Sequence, residues 1–220
     1  MTATVKPYKG LPLEGVLADW YAKNTRRDER RFLAAAQTVT GRTAAGASIL
    51  EVAPGPGYLA IALARSGRKV TGLDISKSFV EMGRENARKA GVQIDFRHGN
   101  ASAMPFSDGS FDYVVCMAAF KNFTQPLGAI NEMHRVLKSG GQGSILDLRK
   151  DAGLRDIHAE VDRMGLSRWD AMLTRWTFRF MLLKRAYTRE DLERMAKNSL
   201  FRRSEISAEG IGFELRLLKD

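Results

Sequence analysis

Cysteine is nearly absent: Cys116 is the only one in 220 residues. That excludes an intrachain disulfide and an all-cysteine zinc cluster. Three histidines, His98, His134 and His158, are too few for a histidine-rich metal site. No apolar run approaches the roughly 20 residues that cross a bilayer. The first ten residues, MTATVKPYKG, lack the apolar core and cleavage pattern of a secretory signal. These absences set the expectation of one soluble, cytoplasmic, reduced domain spanning 1–220. Dense blocks of one charge are missing too, although the formal net charge is +10. Lysine plus arginine against aspartate plus glutamate number 8 to 4 over residues 1–46, 13 to 9 over 47–150 and 14 to 12 over 151–220. Spread this way, the excess reads as a solvated basic surface, and no nucleic-acid partner is expected.

What the chain does contain is alternation. Short β-branched runs at Ser48–Ala53, Lys69–Asp74, Ile94–His98, Phe111–Met117 and Ser144–Leu148 are separated by helical patterns. This is the signature of a parallel sheet with crossover helices. Helices are predicted over Tyr58–Ser66, from a Ser76 cap to Ala90 with Gly91 as the stop, and over Leu127–Lys138. Ser139-Gly140-Gly141 reads as the turn before the fifth strand. Leu13–Thr40 reads as two helices broken near Asn24, with Trp20 and Tyr21 on the first; 1–46 is thus a helical cap. Residues 151–187 read as a helical insert. Thr188 and Asp191 form a capping-box pattern before a last helix within 188–220. Phe201–Ser207 and Ile211–Leu218 follow, with Gly210 between them, and so short a link implies an antiparallel pair. The fold class is α/β: a Rossmann-like, doubly wound, seven-stranded mixed sheet whose last strand is antiparallel.

Glu51-Val52-Ala53-Pro54-Gly55-Pro56-Gly57 joins the first strand to the first crossover helix. Glycines there let backbone approach a ligand, and the helix start offers unpaired N–H groups. Asp74 closes the second strand, where a carboxylate can accept ribose hydroxyls. Strand, glycine turn, helix, strand and acid in that order form a nucleoside-binding signal. Gly55, Gly57 and Ala60 still satisfy the dinucleotide fingerprint. A phosphate-binding loop is excluded, because no Lys-Ser/Thr follows the turn. Glu51 discriminates further: a carboxylate beside the loop repels pyrophosphate and suits an ammonium or sulfonium.

With these residues in place the chain resembles the class I S-adenosylmethionine-dependent methyltransferases, in their type 11, ubiquinone/menaquinone methyltransferase-like branch. ILEVAPGPGYLAIALARSG resembles the first motif, with Ala53 where glycine is usual, and VTGLDIS the second. GNASAMPFSDGSFDYVVC resembles the third, with Asn100 where aspartate is usual. EMHRVLKSGGQGSILDL resembles the helix–turn–strand that follows, with Ser139 in place of proline. The resemblance covers about residues 15–150 and, less sharply, the last thirty. It implies S-adenosyl-L-methionine as cofactor, held by Glu51, Ala53, Gly55 and Gly57 in the turn, Asp74 and Ile75 at the ribose, and Asn100, Ala101 and Met117 around the adenine and methyl. No metal ligand is implied.

Methyl transfer from a sulfonium is an in-line displacement and needs alignment more than acid–base chemistry. No dyad is therefore required. Candidate acceptor-lining residues are Trp20 and Tyr21, Phe120-Lys121-Asn122-Phe123 after the fourth strand, and Asp147 and Arg149 at the end of the fifth. Of these, Tyr21, Lys121 and Asn122 are the candidates for catalytic positioning. The acceptor reads as a small, partly apolar molecule, with oxygen or carbon of a phenol- or quinol-like ring ahead of sulfur or nitrogen. An RNA methyltransferase and a non-catalytic S-adenosylmethionine-binding protein stand as alternatives. Plainer roles compete at several positions: Glu51 capping the loop, Asn100 as a turn residue, Lys121 as a solvated cation, His98 and His134 as structural groups and Cys116 as core. A stripe of Trp169, Met172, Leu173, Trp176, Phe180 and Leu183 is bordered by Arg168, Arg175, Arg179, Lys184 and Arg185. It reads first as a core-facing helix, and second as a lid or a peripheral membrane contact through 168–185.

Overall fold

One sheet of seven strands carries the chain: β1 (Ser48–Val52), β2 (Lys69–Asp74), β3 (Ile94–His98), β4 (Phe111–Met117), β5 (Leu137–Leu148), β6 (Arg203–Glu209) and β7 (Gly212–Leu218). The computed structural model describes residues 8, 9, 14–25 and 29–220, apart from the side chains of Trp20, Tyr21 and Asn24. The strand order is β3-β2-β1-β4-β5-β7-β6. Strands β1 to β5 pair in parallel, and β7 runs antiparallel to both β5 and β6. The expected seven-stranded mixed sheet with an antiparallel last strand is therefore present.

Alternation along the strands sorts side chains to two buried faces, as parallel sheets require. Leu50, Val114, Cys116 and Ile145 meet α5 (Pro126–Val136) and α8 (Arg189–Lys197) through Ile130, Met133 and Leu192. Ile49, Val70, Tyr113 and Val115 meet α2 (Glu29–Gly41), α3 (Tyr58–Arg65) and α4 (Lys77–Ala90) through Val39, Leu63 and Val80. Truncating one such buried leucine or isoleucine to alanine costs about 2–5 kcal/mol. The predicted caps form: the Ser76 hydroxyl accepts from the Phe79 N–H, Gly91 ends α4 in the left-handed region, and Thr188 and Asp191 close a capping box. The first cap helix, α1 (Val16–Thr25), turns Ala18 and Ala22 inward and leaves Val16 and Leu17 exposed.

Several expectations need correction. The helix expected to reach Lys138 ends at Val136, and β5 begins at once at Leu137. The register between β4 and β5 slips after Leu137 pairs with Phe111, so that Gln142 pairs with Tyr113. Residues Lys138–Gly141 thus bulge inside the strand, a geometry that Gly140, at φ 72°, permits. The penultimate strand starts at Arg203, because Phe201 is drawn into the core with its ring edge-on to His134 at 4.9 Å.

The larger correction concerns the insert, which comprises α6 (Leu154–Arg163), α7 (Arg168–Thr177), a π-helical segment (Phe178–Leu182) and a 3-10 turn (Leu183–Arg185). Apart from Leu183, its stripe does not face the core. No residue of α7 is buried, and Trp169 is 78% exposed, Leu173 62% and Trp176 53%. Both faces of the sheet are already covered by other helices. The insert instead packs on a satellite core of Ile157, Val161, Phe178, Leu183 and Ile211 beyond the end of β5.

Candidate functional site

Strand order reverses between β1 and β4, and such switch points open a crevice at the carboxyl ends of the strands. Ala53 and Ala118, just past the ends of β1 and β4, are the two non-glycine residues with left-handed backbone among the described residues, at φ 56° and 59°. Strain of about 1–2 kcal/mol per residue is thereby concentrated at the crevice. In the turn itself Gly55 has φ 54°, and a Cβ built on it would meet nothing within 4 Å among the described residues. The backbone here faces open space that a ligand can enter.

Two carboxylates frame that space. Glu51 is buried, and among the described residues its Oε2 has no hydrogen-bond partner. Burial raises its pKa to about 8, only partly countered by a hydrogen bond from the Ala60 amide at the start of α3. Glu51 thus caps the loop through one oxygen and not through the other. Asp74 accepts from the Gly55 N–H at 3.0 Å through Oδ2 and from the Ser76 N–H at 2.9 Å through Oδ1. These bonds lock the turn to the end of β2. Burial nevertheless raises the Asp74 pKa to about 6, and Glu51 and Asp74 lie close enough to repel. An orphaned buried carboxylate oxygen beside an open glycine turn fits a cationic ligand better than a pyrophosphate.

The remaining cofactor candidates lie on the same edge. The Gly99 N–H donates to the Asp74 carbonyl at 2.9 Å and brings Asn100 and Ala101 beside Ile75. The Asn100 Oδ1 accepts from the Ser102 N–H, so the turn role holds for it. The Ile75 carbonyl lies 3.0 Å from His98 Nε2. Met117 is buried at the end of β4. Phe96 was not singled out from sequence. Its ring lies where Cβ atoms on Gly57, Gly72 and Gly83 would fall, at 2.8, 2.7 and 2.8 Å respectively. Glycines inside a strand and inside a helix were the available signal.

On the acceptor side the solvated reading of Lys121 is overturned. Lys121 is buried in a 3-10 turn (Phe120–Asn122), with Nζ donating to Asp147 Oδ1 at 2.8 Å and to the Ala118 carbonyl at 2.7 Å. Its own N–H donates to Asp147 Oδ2 at 2.9 Å. Asn122 is half-buried beside it. Phe120 and Phe123 enter the core, and Arg149 is engaged by Asp156 and the Gly210 carbonyl. The side chains of Trp20 and Tyr21 lie outside the described residues.

Tyr8 is a neighbour that sequence reading missed, because it lies in a segment without periodicity. It bridges Phe123, and the Lys9 N–H donates to the Asn122 carbonyl at 2.8 Å while Lys9 Nζ donates to the Tyr187 hydroxyl at 3.0 Å. Half-buried, Tyr8 titrates above the usual phenol range, through burial first and then through the fields of Asp74 and Asp147 on the crevice's two sides. Across the crevice Glu14 accepts from the Lys77 and Ser78 N–H groups at 3.0 Å each. The Tyr58 hydroxyl donates to the Ala22 carbonyl at 3.1 Å. The cap is therefore tied to both banks of the crevice. A separate cavity of about 500 Å³ lies at the opposite edge, against Lys69, Gln93 and Ser110, away from these groups.

Residues 50–145 match the family described as a methyltransferase domain. A demethylmenaquinone methyltransferase of Listeria welshimeri is 36% identical over 110 residues, 48% of this chain and 47% of that protein. The Bacillus velezensis enzyme of the same name is 40% identical over 101 residues, 44% and 43% of the two chains. The chain thus aligns with less than half the length of these curated relatives. Among solved structures, one described as a putative S-adenosyl-L-methionine-dependent methyltransferase of Methanococcus maripaludis has a TM-score of 0.75 at 22% identity, covering 96% of this chain and 95% of that one. That likeness shows a shared fold.

Proposed function

We propose that this chain, whose residues 50–145 match a methyltransferase domain, is a class I methyltransferase that binds S-adenosylmethionine at the β1–β4 crevice and serves methyl transfer to a small, partly apolar acceptor. The observation that carries the reading is the buried Glu51 carboxylate with its orphaned Oε2 beside the open Gly55 turn. An NAD-type pyrophosphate would be repelled there, whereas a ligand with ammonium and sulfonium groups gains from it. S-adenosylmethionine supplies, when bound, an activated methyl group and a neutral leaving thioether.

The chain's own residues then bind, orient and exclude water. Glu51 would hold cationic charge, Asp74 the ribose hydroxyls, and Ala53, Gly55 and Gly57 would allow close backbone approach. Ile75, Asn100, Ala101 and Met117 would flank the nucleoside and the methyl. Lys121 and Asn122, with Tyr21 on α1, are the proposed acceptor-positioning residues. With its ammonium committed to Asp147, Lys121 acts in this reading through charge and shape and removes no proton. Alignment at near-attack distance supplies most of the rate in such displacements.

A phenol- or quinol-like ring, methylated on oxygen or carbon, is the acceptor class favoured by the likeness to demethylmenaquinone methyltransferases. A ring of that kind with an apolar tail resides in lipid, and residues 168–185 suit a peripheral membrane contact. Calorimetric titration tests the central claim. S-adenosylmethionine and S-adenosylhomocysteine are expected to bind and NAD is not; NAD binding with neither of the others overturns the reading. Cofactor binding without turnover across a panel of phenols, quinols, thiols and amines would favour the non-catalytic alternative.

A further inference from the structure

The face left open by α7 and the π-helical segment is chemically distinctive. Trp169, Met172, Leu173, Trp176, Phe180 and Met181 are all exposed, far beyond the scattered apolar residues of an ordinary surface. Over 168–185 five cations stand against one acid, Asp170. Among the described residues Arg168, Arg179, Lys184 and Arg185 make no ion pair with a carboxylate, and only Arg175 does, with Asp162. Instead Arg179 and Lys184 lie over the Phe180 ring, 5.0 and 6.0 Å from its centroid.

The same Arg179 and Lys184 line a cavity of about 320 Å³ between the start of α6 and the π-helical segment. Its apolar wall is Ala152, Leu154, Ile157 and Leu183; its polar lining is Lys150, Arg179 and Lys184, with no carboxylate among the described residues. Cations around an apolar wall, next to exposed tryptophans, match an anionic amphiphile whose phosphate meets the cations and whose chains meet the apolar surface.

We infer that the α7 face is a docking surface for an anionic phospholipid bilayer and that the Lys150–Arg179–Lys184 cavity receives a lipid phosphate. The insert leaves the carboxyl end of β5, the same edge as the crevice, and Tyr187 at its close packs on Phe120 with ring centroids 5.5 Å apart. A bilayer against α7 therefore lies on the acceptor side. The inference rests on the peripheral contact read above for 168–185, and it is independent of methyl transfer.

The test uses the full chain without cofactor. It is sedimented with phosphatidylcholine vesicles, with and without phosphatidylglycerol, while tryptophan emission is followed. Binding is expected only with phosphatidylglycerol, with a blue-shifted emission and weakening by salt. Lys150→Gln and Lys184→Gln should each lose about fivefold in affinity, the loss for one cation near an anionic surface. The double variant Trp169→Ser/Trp176→Ser should lose binding with an unchanged circular dichroism spectrum, since both side chains are exposed. Lys89→Gln and Lys197→Gln, on α4 and α8, should bind as the parent does. Indifference to phosphatidylglycerol vesicles overturns the docking surface. Equal losses at Lys89 and Lys197 overturn the cavity. A dimer in solution that Trp169→Ser dissolves, with no vesicle binding, assigns the face to a second copy. Each failure leaves the cofactor titration standing, so the two readings fall separately.

Discussion

A carboxyl group held near a pKa of about 8 costs stability whenever it must ionise, and Glu51 is such a group. In the unfolded chain it ionises near 4.5. The folded form therefore binds the proton more tightly, and stability falls as pH rises from about 4.5 to 8. Asp74 adds a loss of the same sign between 3.8 and about 6. A cationic ligand needs the carboxylate, so its affinity should run the other way and tighten as pH rises towards 8. Glu51→Gln should flatten the pH dependence of stability in urea melts. It should also weaken S-adenosylmethionine binding by about tenfold to a hundredfold, as expected for a hydrogen bond to a charged group. Unchanged affinity in calorimetry would remove Glu51 from the site. At this scale the first-strand acid, the glycines and Asp74 were legible, because local spacing alone brings them together. The burial of Lys121 was not: its partner Asp147 is 26 residues away, and nothing local signals that pairing.

Among the elements, the packing of α4 against the sheet turns on one ring. Phe96 of β3 occupies the space that side chains on Gly57, Gly72 and Gly83 would need, and so draws the glycine turn, β2 and α4 together. Gly83→Ala would place a Cβ 2.8 Å from this ring. Overpacking of that kind costs about 1–3 kcal/mol, more than the roughly 1 kcal/mol of helix propensity that alanine recovers. Urea denaturation should show a net loss, and Phe96→Leu in the same chain should relieve it. Additive losses in that double-variant cycle would mean the ring is not the cause. Strand and helix limits were mostly legible, since periodicity and caps are local. The bulge of Lys138–Gly141 and the outward stripe of α7 were not, because a partner strand sets the one and the prior occupancy of both sheet faces sets the other.

For the whole molecule, the cap is tied at Tyr8, Glu14 and Ala22 to both banks of the crevice. Cofactor binding should therefore stabilise the cap together with the glycine turn. S-adenosylhomocysteine at about a hundred times its Kd should add about 2.7 kcal/mol, or roughly 5–10 °C in Tm for a chain of this size. Hydrogen exchange should slow in α1 as well as in the turn after β1. Protection confined to the turn would show that the cap acts independently of the site.

Order along the chain determined the fold class. Strand, glycine turn, helix and acid lie within some thirty residues, and their chemistry follows from spacing that a local segment enforces on its own. The +10 charge determined little, being spread through every part of the chain. Only the tertiary structure decided which groups are starved of water and which are left in it. Burial isolated Glu51, enclosed the Lys121–Asp147 pair and seated Phe96 against three glycines. The same packing filled both faces of the sheet and left the α7 stripe outside, because competition for a finite buried surface is settled only when all elements are in place.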